Sequence, residues 1–575
     1  MIRLYRLLQP YRFTIGAILV LVLAQSLANL YLPTLMADIV DTGIRNKDIG
    51  YIMRVGGFML LIAAAGMACA IVSTFLSSRT AVGFGRIVRS RLFRRIQSFS
   101  LREFDQFGAA TLITRTTNDV TQVQLVTVII LRMMLSAPLM MIGGLIMALS
   151  QDRPLTLVLA VSVPLLAGVI YLLLSRSIPL FRVMQVKIDR LNLVVREGLT
   201  GIRVIRAFDR VDHEHRRFEA ANADLTNNAI QVNRIMAFMM PAMMLIMNFT
   251  SVAIIWFGAV RIDNGGMQVG ALIAFIQYAM QIMFSVFMVS MLAIMLPRAA
   301  ASATRINAVL DTEPDIVDAE QVRSAGGARG YVEFEHVTFS YPGAEEPALY
   351  DISFRAEPGE VTAIIGGTGS GKSTLVNLIP RFYDIDSGRI LVDGVDIREM
   401  TQEDLRARIG FVPQRAMLFT GSIADNIRYG KGDATEEEVI HAAEIAQATE
   451  FISAMGEGFD SRIAQGGTNV SGGQKQRLSI ARALVRKPEI YIFDDSFSAL
   501  DFKTDARLRA ALKRETADAT VLIVAQRVAT VMDADRIIVL DEGRIAGIGT
   551  HRELMQSSQV YREIVSSQLS EEEVA

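Results

Sequence analysis

Apolar residues are concentrated in about the first 300 positions, where six apolar runs are each near the ~20 residues that cross a bilayer as a helix. The runs are about Ile15–Ile39, Gly56–Phe75, Leu125–Leu149, Leu155–Leu174, Phe238–Val260 and Val269–Leu296. Further along, short β-branched runs alternate with charged helical stretches and glycine turns. The pattern predicts an all-α six-helix transmembrane domain followed by a domain of mixed α and β structure.

The domain boundaries follow from the same pattern. Apolar character falls between Ala300 and Gly330, while proline, glycine and acidic residues increase. We therefore predict a transmembrane domain over 1–310, a linker over 311–330, a second domain over 331–568 and an acidic tail over 569–575.

Basic residues are unevenly divided among the loops. Arg79–Asp119 carries eight arginines and Arg176–Arg234 carries eleven basic residues, whereas Gln151–Pro154 and Arg261–Gly266 carry one arginine each. The positive-inside bias puts the two long stretches in the cytoplasm, and both chain termini with them. Both stretches have helical periodicity, so helices should project into the cytosol. Met1–Arg12 has the pattern of a short amphipathic helix at the membrane surface.

Composition excludes several classes of function. Hydrophobic residues make up 51% of the chain even without its 42 glycines, whereas apolar residues and glycine together average ~45–50% in soluble domains. The single cysteine, Cys69, excludes an internal disulfide or a multi-thiolate metal site. The net charge of −1 offers no polycation for nucleic acid, so no nucleic-acid partner is expected.

A glycine-rich loop follows the apolar run Val361–Ile365 and matches G-x-x-x-x-G-K-[ST]. Its residues are Gly366, Gly367, Thr368, Gly369, Ser370, Gly371, Lys372, Ser373 and Thr374. In such a strand–loop–helix unit the backbone N–H groups surround phosphates. Lys372 is then expected at the β and γ oxygens, and Ser373 at Mg²⁺.

A second apolar run, Ile490–Phe493, ends in Asp494 and Asp495. A buried strand would place the Asp494 carboxylate at its tip, where Mg²⁺ would sit. The spacing of more than 100 residues from the glycine-rich loop suits a parallel sheet with crossover helices, in which ligands lie beyond the carboxyl ends of the strands.

Between these motifs, the segment Ser471, Gly472, Gly473 and Gln474 opens a predicted helix that runs to Val485. It resembles the signature of ATP-binding cassette (ABC) proteins, and the whole chain is similar to an exporter half-transporter. The resemblance implies an α/β P-loop (RecA-like) nucleotide-binding domain with an α-helical signature subdomain, and ATP and Mg²⁺ as cofactors. It also implies that Tyr341 stacks on adenine and that Gln414 senses the metal. Ser498–Asp501 resembles the loop that joins two nucleotide-binding domains.

Two positions depart from the family pattern. Asp495 stands where the family has a catalytic glutamate, and Gln526 stands where it has a histidine. Aspartate is shorter by one C–C bond, about 1.5 Å, and a general base must come within about 3 Å of its proton. Glutamine cannot carry a proton or a positive charge. Loss of a general base costs roughly 10²- to 10⁴-fold in rate, so we predict a degenerate site with weak ATPase activity.

The alternative is tolerated drift of Asp495 and Gln526 in a working site. A further departure is Ala464–Gly467, where exporters usually have a Glu-Arg-Gly contact. In this family ATP lies between the phosphate loop of one subunit and the signature of the other. The intact signature and the altered site together predict the degenerate-site subunit of a heterodimeric multidrug exporter, with a second ABC half-transporter as partner.

The predicted function is ATP-driven export of hydrophobic or amphipathic compounds, drugs or lipids, by alternating access across a bacterial inner or plasma membrane. Alternatives are a lipid flippase, an importer of the same fold, or a regulatory ATP-binding subunit. Short coupling helices are expected around Phe104–Leu112 and Ala207–Arg216.

Polar and methionine residues within the spans are candidates either for helix packing or for a substrate path. They are Gln25, Asn29, Arg132, Asn248, Gln277, Gln281, Met239, Met240, Met243, Met244 and Met247.

Overall fold

The computed structural model describes residues 1–323, 326 and 329–568, except for the side chains of 293 and 294; the predicted tail 569–575 lies outside the described residues. The chain divides into two compact units. One comprises Met1–Gln97 with Ala109–Thr312, and the other comprises Ser98–Gly108 with the residues from Glu313 onward.

The part of the chain before residue 312 is almost entirely helical. Its helices are α1 Ile2–Tyr5, α2 Arg12–Asp38, α3 Ile49–Gln97, α4 Leu101–Phe107, α5 Ala109–Thr114, α6 Val120–Gln151, α7 Thr156–Thr200, α8 Ile202–Ala207, α9 Val211–Ala237, α10 Met239–Asp263 and α11 Val269–Asp311. A 3₁₀ segment, Arg6–Tyr11, and two π-helical segments, Ile39–Ile44 and Arg115–Asp119, join neighbouring helices.

Six helical stretches of the described residues are long and apolar enough to cross a membrane. They are Ile2–Ile44, Ile49–Gln97, Ala109–Gln151, Thr156–Thr200, Val211–Asp263 and Val269–Asp311. Each overlaps one predicted run, so the six-helix prediction is confirmed. The 49 residues of α3 extend about 74 Å at ~1.5 Å per residue, more than twice the ~30 Å hydrocarbon core. Helices of this length continue well beyond the apolar layer.

The two short helices expected in the cytosol differ from their predicted bounds. α4 begins after Ser100, whose N–H donates to Glu103 Oε2 at 2.8 Å, and it ends at Gly108 with φ +73°. The second short helix, α8, begins at Ile202 rather than Ala207. The left-handed Asp209, with φ +51°, lies in the turn before α9, and this turn separates two helices where one was predicted.

A proline in α2 explains the contact made by Gln281, one of the predicted polar residues. Pro33 has no N–H, so it leaves the Asn29 carbonyl without its helical donor. Gln281 Nε2 of α11 donates to that carbonyl at 3.2 Å, and the Tyr278 hydroxyl donates to the Leu30 carbonyl at 2.9 Å. This contact favours a helix-packing role for the Gln281 side chain.

The methionine-rich start of α10 has two sides. Met243 is buried with Leu166 and Met283, whereas Met240 and Met244 are exposed. Only part of this methionine set therefore packs within the unit.

Among its described residues, the second unit combines α4 and ten further helices with two sheets and a two-stranded ribbon. The helices after α11 are α12 Lys372–Leu378, α13 Gln402–Ala407, α14 Ile423–Arg428, α15 Glu436–Ile445, α16 Thr449–Ser453, α17 Gly472–Leu484, α18 Phe502–Glu515, α19 Val528–Val531, α20 His551–Ser557 and α21 Gln559–Gln568. The strands are β1 Val332–Phe339, β2 Leu349–Ala356, β3 Val361–Gly366, β4 Ser387–Val392, β5 Val395–Asp396, β6 Ile409–Val412, β7 Gly421–Ser422, β8 Arg462–Ile463, β9 Ile490–Asp494, β10 Thr520–Val524, β11 Arg536–Asp541 and β12 Arg544–Gly549.

The larger sheet has the order β12-β11-β3-β10-β9-β6, with β11 through β6 parallel and β12 antiparallel. Its five parallel strands are largely buried on both faces, as continuous apolar runs require, whereas the edge strand β12 is partly exposed along its length. Ile492 and Leu522 pack toward the antiparallel sheet β2-β1-β4-β5, and Phe493 and Ile523 pack toward the helices around α17 and α18. The predicted α/β fold of this domain is confirmed.

Candidate active site

Four neighbouring parallel strands deliver the predicted site residues to one edge of the sheet. The glycine-rich loop follows β3, Gln526 follows β10, Asp494 and Asp495 lie at the end of β9, and Gln414 follows β6. These strands are adjacent in the order β3-β10-β9-β6, so their carboxyl ends meet. Ligands of open α/β sheets bind at this edge.

The glycine-rich loop turns through left-handed backbone positions that side chains disfavour. Gly369 has φ +85° and Gly371 has φ +96°. A Cβ at Gly371 would lie 2.8 Å from both the Ala348 carbonyl oxygen and Leu349 Cδ2. Glycine is therefore required here for close packing as well as for backbone freedom. Ser370 Oγ is buried without a hydrogen-bond partner in the described residues, inside the loop that is expected to hold phosphate.

Lys372 and Ser373 begin helix α12 and point to different partners. Lys372 Nζ donates to the carbonyls of Gly366 and Gly367 at 3.0 and 2.6 Å, so the ammonium lies against its own loop. Ser373 Oγ donates to Asp494 Oδ1 at 2.9 Å.

Burial shifts the pKa values of both Lys372 and Asp494. It lowers the pKa of the Lys372 ammonium, and the nearby Asp495 and Asp494 carboxylates oppose that change. It also raises the pKa of Asp494, although the bond from Ser373 opposes that shift. A phosphate near Lys372, or a cation near Asp494, would therefore interact with a charge that is partly shielded from water.

The two residues that depart from the family pattern are bonded to each other. Gln526 Nε2 donates to Asp495 Oδ2 at 2.9 Å, and Gln414 Nε2 donates to the same oxygen at 3.2 Å. Asp495 is 8% exposed, and its backbone has φ +46°. Its N–H donates to the Val524 carbonyl at 3.0 Å. Two neutral amides therefore hold one oxygen of the carboxylate.

Sequence reasoning assigned Asp495 and Gln526 to one pocket but missed the bond between them. The residues lie 31 positions apart in the chain, and their contact depends on β10 pairing beside β9. The bonds from Ser496 Oγ to the Val412 carbonyl and from Ser498 Oγ to the Asp495 carbonyl were also missed. The sequence does not indicate these two bonds, because their acceptors are backbone carbonyls, which every residue has.

The predicted adenine aromatic, Tyr341, belongs to a cluster of three rings. It meets Phe339 and Tyr383 edge-on, with ring centroids 5.0 and 5.5 Å apart. Its hydroxyl lies 3.0 Å from Thr374 Oγ1 at the start of α12. The Tyr341 side chain keeps an exposure of 37%. It is therefore positioned by the phosphate-binding helix and still accessible.

Tyr383 joins this ring cluster to α4. Its hydroxyl donates to Asp105 Oδ2 at 3.3 Å. Burial, and then the Asp105 charge, raise the pKa of Tyr383 to about 12. Arg102 of the same helix pairs with Asp315 at 2.9 Å. A cavity of about 300 Å³ lies between α4 and the loop that carries Tyr341. The sequence predicted a short helix resting on the nucleotide-binding domain near this position, but it did not identify Tyr383 as the residue that the helix contacts.

The signature segment forms the start of α17. Ser471 accepts from the Gln474 N–H at 3.3 Å, and Gln474 Oε1 accepts from the Ser471 N–H at 2.8 Å, which makes a capping box. A Cβ at Gly473 would lie 3.0 Å from the Ala499 carbonyl, so the segment packs against the Ser498–Asp501 loop. Neither Ser471 nor Gln474 takes part in the hydrogen bonds described above for Lys372 and for the Asp495 side chain.

Comparison with known proteins agrees with this geometry. Residues 15–286 match the family described as ABC transporter transmembrane region, and residues 349–498 match the family described as ABC transporter. An uncharacterized ABC transporter ATP-binding protein of Mycobacterium tuberculosis is 47% identical over 98% of this chain and 97% of its own. An ATP-dependent lipid A-core flippase of Chromobacterium violaceum is 31% identical over 99% and 98%.

Solved structures give the same result. A bacterial Atm1-family ABC exporter with ATP bound has a TM-score of 0.81 and 25% identity, and the match covers 98% of this chain and 99% of that one. The chain therefore belongs to the ABC transporter family. Within it, the chain has the architecture of an exporter half-transporter, an integral membrane protein with a cytoplasmic ATP-binding domain. Such exporters act as dimers in the membrane.

The residues present fit ATP. Among the described residues, the glycine-rich loop has a buried, unpartnered hydroxyl at Ser370. Lys372 can turn from loop carbonyls to phosphate. Outside the loop, Tyr341 offers an accessible aromatic ring. They also suit a hard divalent cation, because the Ser373 hydroxyl and the Asp494 carboxylate are oxygen ligands 2.9 Å apart.

Proposed function

We propose that this chain is one half of a heterodimeric exporter of hydrophobic or amphipathic compounds, and that its own site binds ATP with Mg²⁺ but hydrolyses it slowly. The observation that carries the proposal is the pair of amide bonds on Asp495. Gln526 and Gln414 both donate to Oδ2 of this carboxylate.

A general base must accept a proton from the attacking water. At Asp495 Oδ2 the water would compete with two fixed N–H donors, at 2.9 and 3.2 Å. Gln526 is uncharged and cannot transfer a proton. The groups that bind phosphate are separate from this arrangement, so ATP binding survives where hydrolysis is weak.

Binding at this site would use other residues of the pocket, with only Gln414 taking part in both arrangements. The loop N–H groups and Lys372 would hold the phosphates, and Tyr341 would stack on adenine. Mg²⁺ would be held by Ser373, Asp494 and Gln414, where it would neutralise phosphate charge.

The signature of this chain is suited to a partner's ATP. Helix α17 has 13 residues, and its first N–H groups and dipole favour an anion. Ser471 and Gln474 fix that helix start through their capping box. In a homodimer this signature would face two weak sites. A partner with glutamate and histidine in the two altered positions would instead form one competent site.

Coupling to the membrane helices would pass through α4. The aromatic cluster joins Tyr341 to Tyr383, and Tyr383 donates to Asp105 of α4. If ATP prefers the closed dimer, its binding shifts the population toward that state. Hydrolysis at the partner's site would then reset the cycle. The relative named as a lipid A-core flippase favours a lipid-like substrate for this chain too.

Purification of the full chain alone and together with its partner half-transporter tests the proposal. The chain alone should bind ATP and turn it over slowly, whereas the pair should hydrolyse it rapidly. Ser471→Ala in this chain should lower the turnover of the pair. Thr435→Ala is the matched control, because Thr435 forms the same capping box with Glu438 on α15.

Both variants lose an N-cap, worth about 1 kcal/mol of stability, but only Ser471→Ala should reduce turnover. Equal effects of the two variants would remove the assigned role of the signature. Rapid hydrolysis by the chain alone would overturn the degenerate site.

A further inference from the structure

The turn after β10 carries Gln526 and leads into α19, whose first residue is Val528. The first N–H groups of a helix lack partners within the helix. Arg527, in the N-cap position, provides no side-chain cap. The Val528 N–H donates instead to Gln568 Oε1 at 2.9 Å. A residue 40 positions away therefore caps this short helix.

The other end of the same amide completes a bridge across the turn. Gln568 Nε2 donates to the Gln526 carbonyl at 2.8 Å. The side chain of Gln526 in turn donates to Asp495 Oδ2 at 2.9 Å. Two amides thus connect the end of α21 to the carboxylate in the ATP site.

Helix α21 holds Gln568 in place through its buried face. Tyr561 and Val565 are almost fully buried, and they precede Gln568 on one helical face by seven and three residues. The Tyr561 hydroxyl lies 2.8 Å from His551 Nδ1 of α20. Gln568 itself is exposed, so its substitution removes two hydrogen bonds without leaving a cavity in the core.

We propose that Gln568 is a positioning residue for Gln526. Its amide fixes the turn between Gln526 and Val528, and this keeps the Gln526 side chain on Asp495. The end of α21 thereby sets how firmly the Asp495 carboxylate is held in this chain's own site. The proposal rests on the proposed function in one respect, namely that Asp495 and Gln526 belong to an ATP site.

Hydrogen–deuterium exchange on the nucleotide-free full-length chain tests the bridge directly. Gln568→Ala should speed exchange of the Val528 amide roughly three- to tenfold, the effect of losing one hydrogen bond. Gln568→Glu keeps an oxygen for Val528 but loses the donor to Gln526, so Val528 exchange should stay within about twofold of wild type. Gln559→Ala is the control, since Gln559 begins the same helix and its side chain donates to the exposed Glu563, one turn along that helix.

Single-turnover ATP cleavage by the same chain tests the consequence. Gln568→Ala and Gln568→Glu should both speed cleavage roughly three- to tenfold, because a loosened Gln526 amide competes less with water for Asp495 Oδ2, and Gln559→Ala should leave the rate unchanged. In a Gln526→Ala background the Gln568 substitutions should have no further effect, because the side chain they position is gone. A merely structural role would give additive effects in that background.

The outcomes separate the two proposals. Unchanged Val528 exchange in Gln568→Ala, or equal effects with and without the Gln526 side chain, would overturn the role of Gln568 and leave the degenerate site intact. Rapid hydrolysis by the wild-type chain would overturn the degenerate site, while accelerated Val528 exchange in Gln568→Ala would still support the bridge.

Discussion

The two halves of the ATP pocket differ in what their charges touch. On the phosphate-binding half, Lys372 donates to loop carbonyls, which phosphate oxygens can replace as acceptors. Ser373 donates to the Asp494 carboxylate, and Mg²⁺ can bind to both oxygens. On the other half, Asp495 is held by the neutral amides of Gln414 and Gln526. Binding and hydrolysis therefore depend on different side chains, although Asp494 and Asp495 share the end of β9, and one function can be lost while the other remains.

The largest expected effect comes from converting the second half to the family pattern. Asp495→Glu combined with Gln526→His should raise single-turnover hydrolysis by the full chain roughly 10²-fold or more, because a longer carboxylate and a titratable partner return. Each single change should recover much less, since such residues act as a unit. Rapid-quench measurement of ATP cleavage checks this. A double variant that is no faster than wild type would show that residues other than Asp495 and Gln526 limit the rate of hydrolysis.

The phosphate-binding half is tested by removing its ammonium. Lys372→Ala should weaken ATP binding to the chain roughly 10- to 100-fold, since hydrogen bonds to charged groups contribute ~1.5–3 kcal/mol. Equilibrium binding of a fluorescent ATP analogue measures it. Lys431→Ala is the control, because Lys431 pairs with Glu438 away from the pocket. Similar losses for both variants would refute the assignment.

A smaller effect is expected where the pocket meets α4. Tyr383→Phe keeps the ring but loses the bond to Asp105, and it should leave ATP affinity unchanged while reducing ATP-driven transport by the dimer about two- to fivefold. Because the pKa of Tyr383 is raised to about 12, its hydroxyl stays protonated and the effect should not vary between about pH 6 and 9. Tyr350→Phe, on the exposed side of β2, is the control. A change in affinity would contradict the assigned coupling role.

The smallest predicted effect concerns stability. Burial raises the pKa of Asp494, so its ionisation opposes folding, and stability falls as pH rises from the ordinary value through the raised one. Asp494→Asn removes that cost and still accepts from Ser373. We expect the melting temperature of the nucleotide-free chain to rise by about 1–3 °C near neutral pH. Thermal unfolding should show the difference in melting temperature between Asp494→Asn and wild type shrinking as pH falls toward about 4. A lower melting temperature for Asp494→Asn at neutral pH would contradict this prediction.

Much of the fold could be predicted because its signals are local. Six apolar runs predicted the spans, and the apolar run Ile490–Phe493 forms most of β9, Ile490–Asp494. The position of α8 was missed, since the helix break at Asp209 has no glycine or proline to mark it. The bonds of Asp495, Tyr383 and Gln568 were also missed, because each joins segments far apart in the chain.

ATP cleavage by the purified full-length chain, followed in a single turnover without any partner, decides whether this chain's own site is degenerate. We expect the chain to retain bound ATP uncleaved for minutes, and Lys372→Ala to abolish this retention. Cleavage near the ~10 s⁻¹ typical of enzymes, by wild-type chain assembled only with itself, would contradict this expectation.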